Sequence, residues 1–217
     1  MSLGLMRHQI FEKIRSDILS CDLRPGEEIR EGELAARFGV SKSPIRDALQ
    51  KLEFEGLVEI QPRRGHRVAP ISVADAKDML DLREILEAGA LRTVATGAST
   101  EVLANLDALR VADTRNMAAF AEYNRRFHLT LCEASGNRRL AKTMAHLMEN
   151  YDRLCVVSLT SVRDQDNGME AALADHNQII DALQSRNGRA AVRASSKHIK
   201  KSHSQIMHGL ENPAVVA

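Results

Sequence analysis

The stretch Leu23 to Val68, LRPGEEIREGELAARFGVSKSPIRDALQKLEFEGLVEIQPRRGHRV, decides how the N-terminal third folds. Leu34, Ala35 and Phe38 recur at three-to-four spacing, which predicts an amphipathic helix from Glu31 to Phe38. Gly39 should end it, because glycine reaches the left-handed C-terminal cap without strain, and Phe38-Gly39-Val40 then reads as a tight turn. A second helix follows almost at once. Ser43 is expected as its N-cap and Pro44 as its first residue, with Ile45, Ala48, Leu49 and Leu52 on one apolar face and Gly56 at its close. Leu57 to Ile60 and His66 to Val68 are short β-type runs flanking Gln61-Pro62-Arg63-Arg64-Gly65, a hairpin with two arginines at its tip.

Two short helices, a tight turn and a basic hairpin, in that order, predict a winged helix-turn-helix. Lys42, Ser43 and Arg46 lie near the N-terminus of the second helix, opposite its apolar face, where base edges are met. Arg46 can fork onto a guanine, while Ser41, Ser43 and the first backbone N–H groups suit phosphate oxygens. These residues, with Arg63, Arg64 and Gly65 of the wing, are the expected contacts to double-stranded operator DNA.

The segment resembles the DNA-binding domain of GntR-type bacterial transcription regulators. The resemblance is carried by Leu23, Pro25, Gly26, Glu31, Leu34, Ala35, Gly39, Val40, Ser41, Ser43, Pro44, Arg46, Ala48, Leu49, Leu52, Gly56, Leu57 and Gly65. It implies DNA contacts at Ser41, Lys42, Ser43 and Arg46, with Gly65 approaching the minor groove. Two positions depart from the pattern. Lys42 stands where the family often has arginine, and Gly32 where some members place an operator-reading arginine. A lysine is a point charge and cannot fork onto a guanine.

The whole chain has 217 residues, 44% of them hydrophobic, enough for one small and one larger domain that each bury a core. Its formal charge of +1 gives no global sign of a nucleic-acid binder, but Arg63, Arg64 and Arg67 lie within five positions with no acid among them, so the basic charge is local. Three per cent aromatics and no Trp argue against stacking platforms for single strands. Cys21, Cys132 and Cys155 are odd in number and widely spaced, which argues against a disulfide framework or a thiolate zinc site and fits a reducing cytoplasm. No signal peptide or membrane-length apolar run is evident, so no membrane partner is expected.

Ahead of the winged helix, His8 to Ser20 carries Ile10, Ile14, Ile18 and Leu19 at helical spacing and should pack behind the second helix. Pro70 and Ser72 mark the domain joint, giving a DNA-binding domain at 1–70 and an all-helical effector-binding and dimerisation domain at 71–217. Six helical segments are expected in the latter, at about 72–96, 99–114, 117–134, 138–161, 169–186 and 189–209, with breakers Gly97, Gly136, Gly168 and Gly188 and caps Ser99, Asn137 and Asn187. The fold class is mainly α, a winged helix-turn-helix followed by an antiparallel six-helix bundle.

Within the bundle, Phe120, Asn124, Phe127, His128 and Leu131 form one stripe, with Asn124 and His128 only about 40° apart around the helix axis. Leu173, His176, Ile180 and Leu183 form another, and His198 borders Ile199 on the last helix, its inward placement less marked. A single buried histidine is ordinarily a neutral core ring. Three histidines and an amide oxygen on three helices suit a divalent metal, zinc first, with nickel or another first-row dication as alternatives. His8, His66, His146, His203 and His208 lack comparable partners and read as surface or packing residues. Arg83 falls on the apolar stripe Met79, Arg83, Leu86, Ala90, Val94, where an arginine needs a partner. It pairs with Glu87 one turn on, snorkels to the bundle's end, or anchors an anion.

The bundle is similar to the FCD ligand-sensing domain of FadR-like GntR regulators, a resemblance resting on Asn124-Arg125-Arg126-Phe127-His128 and Ser135-Gly136-Asn137. It implies metal ligands at Asn124, His128, His176 and His198, a homodimer, and Arg83 as effector anchor. Many members have aspartate at the first position, so neutral Asn124 should lower metal affinity. Neutral ligands leave the metal its full charge, a receptor for a small carboxylate effector. The expected function is a regulator, a repressor by resemblance, and not an enzyme, that binds a near-palindromic operator as a dimer. The alternatives are a metal-free acyl-CoA sensor, with the histidines as core polar groups, and a metal-dependent hydrolase fused to a DNA-binding module. Against the hydrolase, the chain has no H-E-x-x-H and no carboxylate in the histidine stripe.

Overall fold

The computed structural model describes residues 3–63, 65–115, 117–161 and 168–210. The chain divides after Ser72 into two compact units.

The first unit runs α1 (Leu3–Leu19), β1 (Glu28–Ile29), α2 (Glu31–Phe38), α3 (Lys42–Phe54), β2 (Val58–Gln61) and β3 (Gly65–Val68). Ile10, Ile14 and Ile18 of α1 pack with Leu34 of α2, Ile45, Leu49 and Leu52 of α3, and Val58 and Val68 of the sheet. At the α2 terminus Gly39 takes φ 63° and ψ 36°, and the N–H of Val40 reaches back to the carbonyl of Ala35 at 3.0 Å. The chain therefore turns at once into α3.

Helix α3 begins two residues earlier than its sequence implies. Ser41 is the N-cap residue, with extended backbone and no capping hydrogen bond from its side chain, and Pro44 is the third helical residue rather than the first. Proline is tolerated there because the first four N–H groups of a helix have no intrahelical acceptor. The sheet has order β1-β3-β2, and both pairings are antiparallel. Strand β1 was not anticipated, since two residues are too few for an alternation to register. Gln61 pairs with Gly65, which draws both residues from the expected tip into the ladder and leaves Arg63, at φ 68°, in the turn. Arg64 lies outside the described residues.

The second unit comprises α4 (Val73–Gly97), α5 (Thr100–Asn105), a 3₁₀ turn (Leu106–Leu109), α6 (Met117–Ala134), α7 (Arg138–Ser161), α8 (Gly168–Gln184) and α9 (Gly188–Leu210). The helix expected over 99–114 is instead α5 and the 3₁₀ turn. Its end is taken up by side chains, because the carbonyl of Leu109 accepts the Tyr123 hydroxyl at 2.8 Å and that of Arg110 accepts Asn177 Nδ2 at 3.3 Å. Side-chain oxygens of Ser99, Asn137 and Asn187 accept backbone N–H groups of Val102, Leu140 and Ala190, as N-caps do.

Helix α4 packs on α9 and α6, and α8 packs on α9. The inward face of α4 is Leu80, Arg83, Glu87, Ala90, Leu91 and Val94, while Met79 and Leu86 are only half-buried. The apolar stripe drawn from sequence was thus rotated, because a charged Glu87 on the buried face is invisible to a hydrophobic pattern.

Candidate functional site

The bundle core holds a polar cluster built from four helices. His128 on α6, His176 on α8 and His198 on α9 are buried, and one ring nitrogen of each lies within 4.8 Å of the others. Phe127 stacks on His176 with ring centroids 3.9 Å apart and planes 10° apart, which fixes the ring's tilt. Asn124 is buried four residues before His128 on α6.

The partners of these rings indicate which nitrogen of each carries the proton. The Tyr123 hydroxyl donates to the carbonyl of Leu109, so its 3.1 Å contact with His176 Nδ1 requires the ring N–H to donate to the phenolic oxygen. His128 Nδ1 lies 2.7 Å from Glu87 Oε2, off the ring N–H direction but close enough to favour a proton on Nδ1. His198 Nδ1 lies 3.6 Å from Asp175 Oδ2. With every Nδ1 beside an acceptor, the Nε2 lone pairs are left to face the cluster: that of His128 meets Arg83 Nη2 at 2.5 Å, and those of His176 and His198 face each other at 3.2 Å. Two lone pairs so placed repel unless a proton or a cation lies between them.

Burial drives the imidazolium form out of all three rings, aided by the positive charge of Arg83, and holds His128 down at about 3. Burial alone would raise Glu87, but His128 and Arg83 outweigh it and hold the carboxyl at about 2. The cluster therefore presents neutral imidazoles beside an ionised carboxylate, the protonation states that metal ligation needs.

Arg83 is fully buried, which rules out snorkelling. Its Nη2 lies 2.5 Å from His128 Nε2, its Nε is 3.8 Å from Glu87 Oε2, and its guanidinium carbon sits 4.5 Å above the centre of the Tyr151 ring. Ser195 Oγ donates to Glu87 Oε1 at 2.6 Å. The sequence reading named Glu87 only as a possible partner of Arg83. It missed Glu87, Tyr123, Asp175 and Ser195 as supports of the histidines. The position of Glu87 one turn after Arg83 was the signal available. The histidine stripes themselves carry no carboxylate, and Glu87 reaches His128 from a different helix, α4.

In the first unit Ser41, Lys42, Ser43 and Arg46 are all exposed at the start of α3. Arg46 Nε donates to Glu31 Oε2 of α2 at 2.7 Å, leaving its two terminal nitrogens for other partners. The two departures noted from sequence are neighbours in space, since Lys42 Cε is the nearest atom, at 3.9 Å, to where a Cβ on Gly32 would stand. Arg63 is exposed, and Gly65 is exposed with φ 99°. Arg67 is less available than its charge run implied, because Glu59 opposes it across the strands and accepts from its Nε at 2.7 Å.

Residues 6–68 match the bacterial regulatory proteins of the gntR family, and residues 78–201 match the FCD domain. The chain is 30% identical to the HTH-type transcriptional repressor RspR of Escherichia coli (strain K12) over 201 residues, covering 90% of this chain and 86% of that one. It is 27% identical to the probable D-xylose utilization operon transcriptional repressor of Paenarthrobacter nicotinovorans over 195 residues, 88% and 84% of the two chains. Among solved structures, E. coli McbR/YncC superposes with a TM-score of 0.78 at 17% identity, over 97% of this chain and all of that one, a likeness of fold. These relatives overturn the hydrolase alternative. No helix among the described residues is long and apolar enough to cross a membrane. The chain belongs to the gntR family of bacterial regulatory proteins and carries an FCD domain behind its helix-turn-helix, and it is a DNA-binding transcriptional regulator and not an enzyme.

Proposed function

We propose that this regulator is a repressor that binds a near-palindromic operator as a homodimer and senses a small carboxylate at a divalent metal site in its FCD domain. The observation that carries the sensing part is the convergence of a ring nitrogen from each of three buried histidines within 4.8 Å, with Nε2 of His176 and His198 3.2 Å apart and each ring having an acceptor beside its Nδ1. The proposed ligands are His128, His176 and His198 with Asn124 as a neutral oxygen donor, and zinc suits that set first. Bound there, the ion supplies a positive charge and an open coordination position for a carboxylate oxygen.

The protein's own residues do the rest. Glu87 places a negative charge against His128, so the charge that neutral Asn124 does not bring is supplied through the imidazole instead. Arg83 is the second anchor for the acid, its guanidinium having the fork that matches a carboxylate. In the DNA-binding part, proposed as residues 1–70 with the sensing part at 71–217, Arg46 and Lys42 meet base edges. Ser41 and Ser43 meet phosphates, and Arg63, Arg64 and Gly65 form the wing contact. Acid binding then changes the spacing or freedom of the two recognition helices.

The test is metal analysis of protein purified without an affinity column, alongside thermal melts against a panel of organic acids with and without zinc. Stabilisation that needs both zinc and one acid, and that disappears in His128→Ala and His176→Ala, is the expected result. Unchanged metal content and acid response in both variants would show that the histidines are core polar groups.

A further inference from the structure

Arg83 is a charge buried in the core of the bundle. Its guanidinium cannot lose its proton, is wholly buried, and has two neutral polar neighbours, His128, whose Nε2 lies 2.5 Å from Nη2, and Tyr151. Its Nε and Nη1 have no hydrogen-bond partner among the described residues. Donors left so in a protein interior are costly, and two on one permanent cation mark a group held short of its full complement. Glu87, the carboxylate in this cluster, is divided among three neighbours. Its Oε1 accepts from Ser195 at 2.6 Å, and its Oε2 lies 2.7 Å from His128 Nδ1 but 3.8 Å from Arg83 Nε. Tyr151 also contacts the guanidinium, its ring centre 4.5 Å from the guanidinium carbon, and offers a neutral side chain in place of a carboxylate.

The contact with His128 also has a consequence for the imidazoles. An Nε2 nitrogen has one in-plane lone pair, and on His128 it faces Arg83 Nη2 while Nδ1 faces Glu87. A guanidinium and a dication cannot both use that lone pair, and their like charges repel at such separations.

We propose that Arg83 gates the histidine cluster: its guanidinium and a divalent cation compete for His128 Nε2, and the displaced guanidinium, with donors to spare, is what receives the carboxylate. This rests on the metal reading above and adds to it a direction of coupling. Cation and acid bind with positive linkage, each tightening the other by the same factor, because the guanidinium leaves His128 for the first and is satisfied by the second. Arg83 therefore weakens cation binding when no acid is present, the opposite of what a residue that merely stabilises the bundle would do.

The experiment uses the full chain, stripped with chelator, with zinc affinity measured by competition against a chromogenic chelator, with and without excess acetate. The variants are Arg83→Met, which keeps length and removes charge, and Arg83→Gln, which keeps polarity, each checked for helix content by circular dichroism. The wild-type chain should bind zinc more tightly with acetate present. Each variant should bind zinc about tenfold more tightly than wild type without acetate, a coupling of ordinary size, and acetate should tighten that value less than it does in wild type. Zinc binding by Arg83→Met where wild type shows none would also support the gate. Equal or weaker zinc binding in a folded variant would overturn it, as would an acetate effect that is undiminished in Arg83→Met or absent from wild type. Loss of wild-type zinc binding in His176→Ala would meanwhile leave the metal reading standing alone, whereas no zinc binding by any chain would overturn both.

Discussion

Glu87 Oε2 lies 2.7 Å from His128 Nδ1, with both side chains fully buried on facing helices α4 and α6. A carboxylate in that position holds the proton on Nδ1 and makes Nε2 a better donor to a cation. Replacing Glu87 with Gln keeps the shape and removes the charge. Zinc affinity should fall by about 10- to 100-fold, the range for loss of such a supporting partner, as read by chelator competition. Unaltered affinity would mean that the carboxylate serves packing alone.

Tyr123→Phe removes one hydroxyl that meets two groups, the Leu109 carbonyl at 2.8 Å and His176 Nδ1 at 3.1 Å. Both would be left buried and unpaired, which costs about 1–3 kcal/mol. Urea unfolding should show a lower midpoint at an unchanged slope. If the midpoint holds, water reaches these groups and the site is less dry than its burial indicates.

At the DNA-binding end, Arg46 and Lys42 should differ in kind. Arg46, buttressed through Nε by Glu31, is the proposed base reader, so Arg46→Ala should cost about 1–3 kcal/mol of operator affinity and relax preference at one position. Lys42→Ala, removing a point charge, should weaken all sequences alike and reduce the salt slope by about 1. Titrations of operator and scrambled duplex at several salt concentrations separate the two. Parallel behaviour of both variants would reject the assignment of Arg46 to base reading.

Gly39 has positive φ but nothing within 4 Å of a would-be Cβ, so the constraint there is conformational and not steric crowding. Gly39→Val should destabilise the chain by about 1–2 kcal/mol, while Gly39→Asn, which tolerates the left-handed region, should lose less. Thermal melts of the two variants decide this. Equal losses would point to a packing role that the open space around Gly39 gives no hint of.

The fold class and the order of its main helices were legible from local pattern, while the two-residue strand β1 was not. Leu34, Ala35 and Phe38, then Gly39, then Ile45, Ala48, Leu49 and Leu52 encode helix, turn and helix within single turns of chain, where periodicity and one left-handed glycine suffice. Element ends were less legible. Helix α3 starts at Lys42 because a proline at its third position loses no hydrogen bond. The segment after Leu109 leaves the helix because its carbonyls are claimed by Tyr123 and Asn177, residues distant in sequence.

The candidate site divides in the same way. His128, His176 and Asn124 were found because each sits on an apolar stripe of its own helix, a one-dimensional signal. By itself the sequence determined a winged helix-turn-helix ahead of a helical bundle, the family to which the chain belongs, and polar residues on the inner faces of three helices. Only the tertiary structure decided that Glu87 faces His128, that Tyr123 sets the proton on His176, and that Arg83 shares both His128 and the Glu87 carboxylate. Those relations join α4, α6, α8 and α9 across the core, and a buried charge is placed by partners on other helices, which the periodicity of its own helix does not encode.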